Sequence, residues 1–536
     1  MQKIKDRNQL TIDGIPSWKG SLSPRKVQLL EKSWAGTFQR HILPNLPLEK
    51  IAGNYSTAMG RPSKELYTVM GAVILQQFFD LTDRRTLEEL AFNQQWHYAL
   101  DNYDVDDQVI SERTLWNVRK LLTLAEAGRN IFNITVDHLI EHFDVDTSRQ
   151  RLDSVHVHSN MARLGRVRVL SRVITRFLKN LKRHHRKLYA DLDERFSERY
   201  LDEKDSGYFG EVKPSETRIR LQEIAEDLYE LLSLFSDNEA VIELYSYGLM
   251  KRVFGEHCQV DSEARVSVVA NQAVPSDSLQ NPSDVDAGYD GHKGQGYQVQ
   301  VLETHAEKAK NKQDVPRLDL FTHVAVEPAH AHDVNAVGPA LEDVSDRGSR
   351  PQELVADTLY GSQTNVESAK ADGTDLITPV YGRSSREDFH GFEFNEDYDI
   401  LSCPAGKAPY AIRVNKRKGS RTAQWRKNVC DQCPLQLQCR VKQGKSFNRL
   451  HYLEKVVKLW QRRAYEQTDV FKDKYRMRAG VEASISRIIQ QTGARRLRYR
   501  GLKRMSFAET MRVLAINMFR VTDYVLSCAK ILPQAA

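Results

Sequence analysis

A short segment with the alternation of a β-strand, RLDSVHVHSN (residues 151–160), limits the possible folds more than any other feature. Apolar residues alternate there with Ser154 and the two histidines, which is the period of a strand. A long segment of helical pattern then follows before strand patterns resume at GYQVQVLETH (residues 296–305). The first strand must therefore pair with strands that lie far away along the chain.

The later strands alternate with helices. LFTHVAVEPAHAHD predicts a strand and VNAVGPALEDV a helix, while ELVADTLYGS predicts a buried strand over residues 354–356 and then a helix. DLITPV predicts one more short strand. The order β, insertion, β, β, α, β, α, β is typical of an α/β domain with a mixed sheet flanked by helices.

Two helical regions accompany this domain. Residues 1–140 are predicted to form an all-α N-terminal domain, because apolar residues recur there at spacings of three and four. Residues 161–257 are predicted to form a helical-hairpin insertion. One helical face of that insertion is apolar and the other is a basic stripe of Arg168, Arg172, Arg176, Lys179, Arg183 and Lys187.

Three acids occupy positions suited to catalysis. Asp153 is predicted near the start of the first strand, Asp357 at the carboxyl end of a later strand, and Glu482 on a late helix. Carboxylates that meet at one point need a cation between them, and hard divalent ions such as Mg²⁺ prefer oxygen ligands. Two such ions support phosphoryl transfer on nucleic acid, with water or a 3′-hydroxyl as nucleophile.

The segments LDSVHVHSN, ELVADTLYGS and YRMRAGVE resemble, in this order, the three acidic motifs of bacterial insertion-sequence DDE transposases. Tyr475, Arg478 and Glu482 match the family's Y-(2)-R-(3)-E signature, with all three expected on one helical face. The chain departs from the family at Ile489, where a lysine is expected, with Arg487 nearby. The helical segment of residues 64–122 is also similar to the N-terminal domain of many such transposases.

The resemblance implies an RNase H-like catalytic domain over residues 148–160, 258–384 and 447–530. It implies Asp153, Asp357 and Glu482 as catalytic ligands of two Mg²⁺ or Mn²⁺ ions, with Arg478 and Tyr475 at the phosphate of a DNA end. The implied activity is cleavage at element ends and transfer of the 3′-hydroxyl into target DNA. The implied partners are double-stranded DNA and a second copy of the chain.

Each acid also has a structural interpretation. Asp153 could be a turn residue at a strand end, Asp357 could cap the next helix, and Glu482 could form a surface pair with Arg478 one turn away. Taken singly these interpretations are favoured, whereas the order and context of the three together favour catalysis. Asp333, with His332, resembles a further motif, and His156 and His158 are expected on one face of a strand.

Four of the six cysteines cluster as C-x₂₆-C-x₂-C-x₅-C: Cys403, Cys430, Cys433 and Cys439. Such clustering predicts a structural Cys₄ zinc site in a small insertion, residues 385–446, with His451 as an alternative fourth ligand. A polar segment of this length has little core of its own, so the metal would stabilise it. The basic segment NKRKGSRTAQWRK within it is a candidate DNA contact.

The net charge of +7 is unevenly distributed. Besides the basic stripe, the segment RRLRYRGLKR after Glu482 supplies candidate DNA contacts: Arg487, Arg495, Arg496, Arg498 and Arg500. Without a long apolar run or a secretory signal, the chain is expected in the bacterial cytoplasm, at the nucleoid when bound to DNA, and not in a membrane. Two alternatives stay open: an RNase H-like nuclease without strand transfer, and a catalytically dead DNA-binding protein derived from a transposase.

Overall fold

The computed structural model describes residues 2–4, 22–59, 63–102, 105–201, 212–305, 317–382, 389–495 and 498–531. The chain consists of two compact units. The first comprises residues 1–146, 154–331 and 483–536, and the second residues 147–153 and 332–482. Within the described ranges, no helix has both the length and the apolar run that crossing a membrane requires.

The helices and strands up to residue 328 follow one another in this order. The N-terminal helices are α1 (Pro24–Glu31), α2 (Trp34–Thr37), α3 (Glu49–Ala52), α4 (Leu66–Phe78), α5 (Asp83–Phe92), α6 (Gln94–Ala99), α7 (Glu112–Leu124) and α8 (Ala127–Phe143). Strand β1 (Arg149–His158) precedes α9 (Arg166–His184), α10 (Arg186–Ala190), α11 (Glu194–Tyr200), α12 (Thr217–Leu234), α13 (Glu239–Ile242) and α14 (Tyr245–His257). Next come β2 (Cys258–Val260), β3 (Val266–Val268), β4 (Gly288–Asp290), β5 (Gly294–Thr304) and β6 (Phe321–Pro328).

The remaining elements complete the chain. They are α15 (Val337–Asp346), β7 (Glu353–Ala356), α16 (Gln363–Ala371), β8 (Asp375–Ile377), β9 (Glu393–Phe394), β10 (Ile400–Ser402), β11 (Ala411–Asn415), β12 (Ser420–Arg426), α17 (Lys427–Asp431) and β13 (Phe447–Leu453). The last helices are α18 (Glu454–Glu466), α19 (Asp469–Tyr475), α20 (Ala479–Thr492) and α21 (Leu502–Ile531).

The main sheet is mixed, as the order of elements predicts. Strand β5 pairs antiparallel with β4 and then with β6 along one edge, and β1 lies along its other edge. Strand β7 pairs parallel with β1, and β8 pairs parallel with β7. The strand order is therefore β6-β5-β1-β7-β8, with β1 in the middle. This topology and the helical N-terminal region are compatible with an RNase H-like fold.

The first unit has a large helical core. Helix α4 is buried on nearly all sides, which explains why its sequence is almost wholly apolar. Helices α4, α7 and α8 and strand β6 pack against α21. Asn517 of α21 fixes β6 by accepting a hydrogen bond from the Phe321 amide and donating one to the Phe321 carbonyl oxygen, both at 2.8 Å.

One prediction about helices in the first unit needs correction. The expected hairpin after β1 contains six helices in its described residues, α9 to α14, around a separate apolar core. The segment of residues 23–43 forms two helices followed by a π-helical turn, because the Ser33 side chain accepts a hydrogen bond from the Ala35 amide and starts a new helix.

The second unit contains the end of the main sheet and a small three-stranded sheet. Val355 of β7, Ile377 of β8 and Phe471 of α19 form one apolar cluster there. Strands β11, β12 and β13 form an antiparallel sheet in chain order. One face of that sheet packs Ala423 and Trp425 into a second apolar cluster, which Phe389 completes.

Candidate active site

Two of the predicted acids lie side by side, each directly after the last paired residue of the parallel strands β1 and β7. In the register of β1 and β7, Leu152 is opposite Ala356, so Asp153 and Asp357 occupy the next position on each strand. Neighbouring strands are about 4.8 Å apart, and residues in register point to the same face. Asp153 is in the middle of β1 and not near its start, so the interpretation as a turn residue is wrong.

Asp357 also caps a short helical turn, as the structural interpretation anticipated. Its Oδ1 accepts a hydrogen bond from the Thr358 amide at 2.7 Å at the start of the 3₁₀ turn Thr358–Tyr360. The Thr378 hydroxyl donates to the Asp357 carbonyl oxygen at 2.8 Å. These contacts fix the backbone and one carboxylate oxygen of Asp357, while the other oxygen faces Arg478.

The third motif does not lie on one continuous α-helix, which corrects the expectation of a single helical face. Tyr475 ends α19, the 3₁₀ turn Arg476–Arg478 follows, and α20 begins at Ala479. Glu482 lies in the first turn of α20. The 3₁₀ turn redirects the chain; Tyr475 contacts Asp357, Arg478 contacts both aspartates, and Glu482 contacts Arg478.

The turn between α19 and α20 is docked on β1. The guanidinium of Arg151 donates a hydrogen bond to the Met477 carbonyl oxygen at 3.1 Å. A Cβ atom at position 480 would overlap that same guanidinium, so a larger residue there would displace the end of the Arg151 side chain. Sequence reasoning missed both residues, although a glycine between the arginine and the glutamate of the motif was a visible signal.

The guanidinium of Arg478 contacts all three acids. Its Nη2 lies 3.4 Å from Asp153 Oδ2 and 3.4 Å from Asp357 Oδ2, and its Nη1 lies 3.4 Å from Glu482 Oε1. The expected pair of Arg478 and Glu482 one turn apart is therefore present, but it is one part of a larger cluster. Acids from three distant segments meet around one cation.

The electrostatics of the cluster follow from burial and these charges. Burial alone lowers the pKa of Arg478, but Asp153 and Asp357 together raise that pKa above its ordinary value. Burial, and next the charge of Asp357, raises the pKa of Tyr475. The Tyr475 hydroxyl donates to Asp357 Oδ1 at 3.5 Å, so it stays protonated and neutral beside the carboxylates.

The carboxylate oxygens have the donor chemistry that hard divalent cations prefer. Their spacing in the structure is set by the guanidinium that they share. Among the residues that the structure describes, no group of three or more His, Cys, Asp or Glu side chains is arranged to hold a metal ion. The donor set fits Mg²⁺ or Mn²⁺, provided that Arg478 moves toward another anion.

The other acids and histidines of the sequence analysis have different surroundings. Asp333 is buried and accepts a 3.4 Å hydrogen bond from the Tyr360 hydroxyl, so it holds the turn that follows Asp357. In the first unit, the rings of His156 and His158 lie 4.7 Å apart on one face of β1. Burial lowers the pKa of His156 to about 4.

The four clustered cysteines are free thiols and half-buried. Cys403, Cys430 and Cys439 pack against the apolar cluster of the small sheet. Burial, and next the charges of Cys403, Cys430 and Cys433, raises the pKa of Cys439. His451 lies exposed on β13, where its Nδ1 is 3.1 Å from the Thr422 hydroxyl.

The predicted DNA contacts of the basic stripe and of the segment after Glu482 lie in the first unit. On α9 and α10, all six residues of the basic stripe are exposed. After Glu482, several arginines have partners in the protein. Arg487 pairs with Asp523 at 2.7 Å, Arg498 with Asp80 at 2.9 Å, and Arg500 donates to Asn160 at 3.1 Å. Arg495 is exposed, and Arg496 lies outside the described residues.

Comparison with known proteins gives two matches to family models. A model described as a transposase DDE domain matches residues 402–522, and a transposase domain known as DUF772 matches residues 29–121. The first match includes the four clustered cysteines and the third acidic motif, and the second covers the N-terminal helices. No curated protein matches the chain. The chain thus contains two segments that match transposase-family models, which is consistent with an insertion-sequence DDE transposase.

Proposed function

We propose that this chain is the transposase of an insertion sequence, which cuts DNA at the ends of its element and joins the freed 3′-hydroxyls to target DNA. The observation that carries the proposal is the convergence of Asp153, Asp357 and Glu482 on Arg478. The family matches support a role in transposition but do not address the individual steps.

In this proposal the three carboxylates hold two Mg²⁺ or Mn²⁺ ions. Such ions supply activation of the attacking oxygen and neutralise charge on the leaving oxygen. Asp153 and Asp357 are held by the strand pair and provide a fixed edge of the site. Arg478 then turns from the carboxylates to a DNA phosphate oxygen, since phosphate offers it a paired geometry that carboxylates 3.4 Å away do not.

Tyr475 has a positioning role in the proposed site. Its ring stacks on Phe471 with centroids 5.4 Å apart, and its hydroxyl points to Asp357. The neutral hydroxyl is available to a phosphate oxygen without adding negative charge. We expect Tyr475 to orient the DNA end beside Arg478, where water and then the 3′-hydroxyl act as nucleophiles.

The acids are tested by isosteric substitution. Asp153→Asn, Asp357→Asn or Glu482→Gln should each abolish cleavage of an element end while changing DNA affinity by less than a few-fold. Asp469→Asn is the matched control, because Asp469 is a carboxylate of the same unit with a side chain that is 97% exposed. A Glu482→Gln variant that excised a donor element at the wild-type rate would contradict the assignment.

The products of the same assay distinguish transposition from hydrolysis. Joined products in which the element's 3′ ends are linked to target DNA are expected alongside cut donor DNA. A nuclease without strand transfer would give linear cut products alone. We also propose that two copies of the chain act on the paired element ends, which predicts a complex of two chains and two end duplexes by size-exclusion chromatography with light scattering.

We further propose that Cys403, Cys430, Cys433 and Cys439 hold one structural Zn²⁺. Mutual repulsion of four thiolates is relieved by a divalent cation, and thiolates are the preferred ligands of zinc. The purified protein should contain about one zinc per chain, and Cys433→Ser should lose it. Cys528→Ser, a half-buried cysteine of α21, is the control and should keep the metal.

The remaining proposals concern DNA contacts outside the site. The exposed basic stripe on α9 and α10 is proposed to contact DNA phosphates, and so is Arg495. Arg487, Arg498 and Arg500 would first have to leave their protein partners, so their substitution is expected to affect stability as well as binding. The protein is proposed to act in the bacterial cytoplasm, bound to the nucleoid.

A further inference from the structure

The small sheet of β11, β12 and β13 lies in a strongly basic part of the chain. From Cys403 to Leu453 there are twelve Lys or Arg residues and one acid, Asp431. One of the twelve, Arg421, points to the packed side of the sheet. It is neutralised by Asp399 and Glu454, each 2.8 Å away. The other cations require a different explanation.

The strand register places the remaining arginines of the sheet on its outer face. Arg413 is opposite Thr422, which is opposite His451, and Gln424 is opposite Arg449. Arg426 lies two residues beyond Gln424 on β12 and so shares this face. The opposite face carries the apolar cluster with Trp425. The sheet therefore has one apolar side and one basic side.

In the residues that the structure describes, these arginines have no acidic neighbour to balance them. In the described part of the chain, no carboxylate pairs with Arg413, Arg426 or Arg449, and all three are exposed. Arg426 and Arg449 are diagonal neighbours on adjacent strands, about 7–8 Å apart between Cα atoms. Like charges at this spacing repel each other, so an anion shared between them would stabilise the face.

One of the arginines is also held in place without being neutralised. The Arg426 guanidinium lies 4.7 Å from the centre of the Tyr410 ring, which stacks on Phe447 at 5.5 Å. A cation–π contact restricts the side chain but leaves its charge and its N–H donors available. Arg426 thus has little conformational entropy to lose when it binds an anion.

The hairpin between β11 and β12 extends the basic face. Its tip is the 3₁₀ turn Lys416–Lys418, and all three residues of the turn are exposed cations. The side chain of Asn415 accepts a hydrogen bond from the Lys418 amide at 3.2 Å, and Gly419 completes the turn with a φ of 57°. The tip is a defined turn that presents three positive charges together.

We infer that the outer face of this sheet, Arg413, Arg426 and Arg449, together with the hairpin tip Lys416–Lys418, binds the phosphate backbone of duplex DNA. The charge and the scarcity of acids favour a polyanion, and a spread of cations over three strands and a turn matches an extended backbone better than a single anion. The contact is to phosphates and carries no base specificity. The inference rests on the proposed function for its choice of DNA.

The experiment compares two triple variants of the full chain. Arg413→Gln/Arg426→Gln/Arg449→Gln removes the charge of the face. Lys50→Gln/Lys370→Gln/Lys530→Gln removes three exposed cations from helices elsewhere. Binding to a fluorescent duplex of random sequence is measured by anisotropy over a range of NaCl concentrations without divalent ions. Circular dichroism and zinc content establish that each variant is folded.

The face variant should bind at least about tenfold more weakly at physiological salt, and its slope of log affinity against log salt should fall by about 2.7, or 0.9 for each lost phosphate contact. The control should change affinity by less than about twofold with its slope unchanged. A face variant that binds the duplex with wild-type affinity and slope overturns the inference. A face variant that binds the duplex normally and loses binding only to heparin, a polyanion that is not a nucleic acid, also overturns it.

The result is separable from the test of the proposed function. If the wild-type protein cuts no element end but the face variant loses duplex binding, the basic face stands and the transposase proposal fails. If the wild-type protein cuts and joins DNA and the face variant binds like wild type, the transposase proposal stands and the basic face is rejected.

Discussion

The buried ion pair of α21 gives a prediction whose size follows from the structure. Arg512 and Glu509 have side chains that are each only 1% exposed, and their charged atoms lie 2.5 Å apart. Arg512 also contacts Asp80 Oδ1 at 2.8 Å. Substitution Arg512→Met fits the apolar surroundings of α21 but leaves Glu509 without its cation. Burial already raises the pKa of Glu509, so the stranded carboxyl takes up a proton.

The free-energy cost of protonating Glu509 determines how much stability the substitution removes. Protonating a carboxyl with an ordinary pKa of 4.5 at pH 7 costs about 3.4 kcal/mol, from 2.5 pH units at about 1.36 kcal/mol each. At pH 5 the same cost is about 0.7 kcal/mol. Arg512→Met should therefore lower the free energy of unfolding by about 3–4 kcal/mol at pH 7 and by clearly less at pH 5. Lost contacts to Asp80 add a part that varies little with pH.

Urea denaturation at both pH values measures the effect, with Arg512→Met/Glu509→Gln as the companion variant. Glutamine at position 509 has no charge to strand, so the double variant should recover about 2 kcal/mol or more at pH 7. Equal destabilisation by Arg512→Met at pH 5 and pH 7, with no recovery in the double variant, would refute the reasoning. Glu509 would then not be the ionised partner in the folded state.

Two further predictions concern acid stability and the turn before Glu482. Burial, and next the charge of His142, lowers the pKa of His41 to about 4, whereas an unfolded histidine has a pKa near 6.5. The free energy of unfolding should therefore be highest above about pH 6.5 and fall by up to about 3 kcal/mol as the pH drops toward 4. The variant His41→Gln should have a flatter profile in urea denaturation over this range, and an unchanged slope would contradict the assignment. Gly480→Ala should lower cleavage because its Cβ would displace the Arg151 guanidinium from the Met477 carbonyl oxygen. Gly338→Ala, with open space around the new atom, should leave cleavage unchanged, and equal effects of the two would rule out the packing argument.

The sequence predicted the main helices and strands because the spacing of apolar residues that identifies them lies within each short segment. The alternation in residues 151–160 and the apolar run before Asp357 identified β1 and β7, and spacings of three and four identified the N-terminal helices. Boundaries were less accurate: β1 begins at Arg149, which moves Asp153 to the middle of the strand. A period shows that a strand exists, but its ends depend on the hydrogen bonds of its neighbours.

Contacts between distant residues could not be predicted from a period. Nothing local in the sequence links Asp80 to Arg512 or to Arg498, although Asp80 accepts hydrogen bonds from both guanidinium groups. The 3₁₀ turn at Arg476–Arg478 was missed for a similar reason. Its residues are compatible with an α-helix, and the break follows from docking on β1 through Arg151, a tertiary contact that overrides local propensity.

The same docking contact determines how the candidate site is completed. Asp153 and Asp357 are placed by hydrogen bonding between two parallel strands, so their separation can vary little. Glu482 has no such constraint: its side chain is 68% exposed, against 12% for Asp153, and it depends on the turn that ends at Ala479. The position of Glu482 relative to the two aspartates therefore depends on how that turn packs against Arg151. The lack of a side chain at Gly480 leaves room for the Arg151 guanidinium. A substitution at this turn should separate Glu482 from the two aspartates without disturbing either strand.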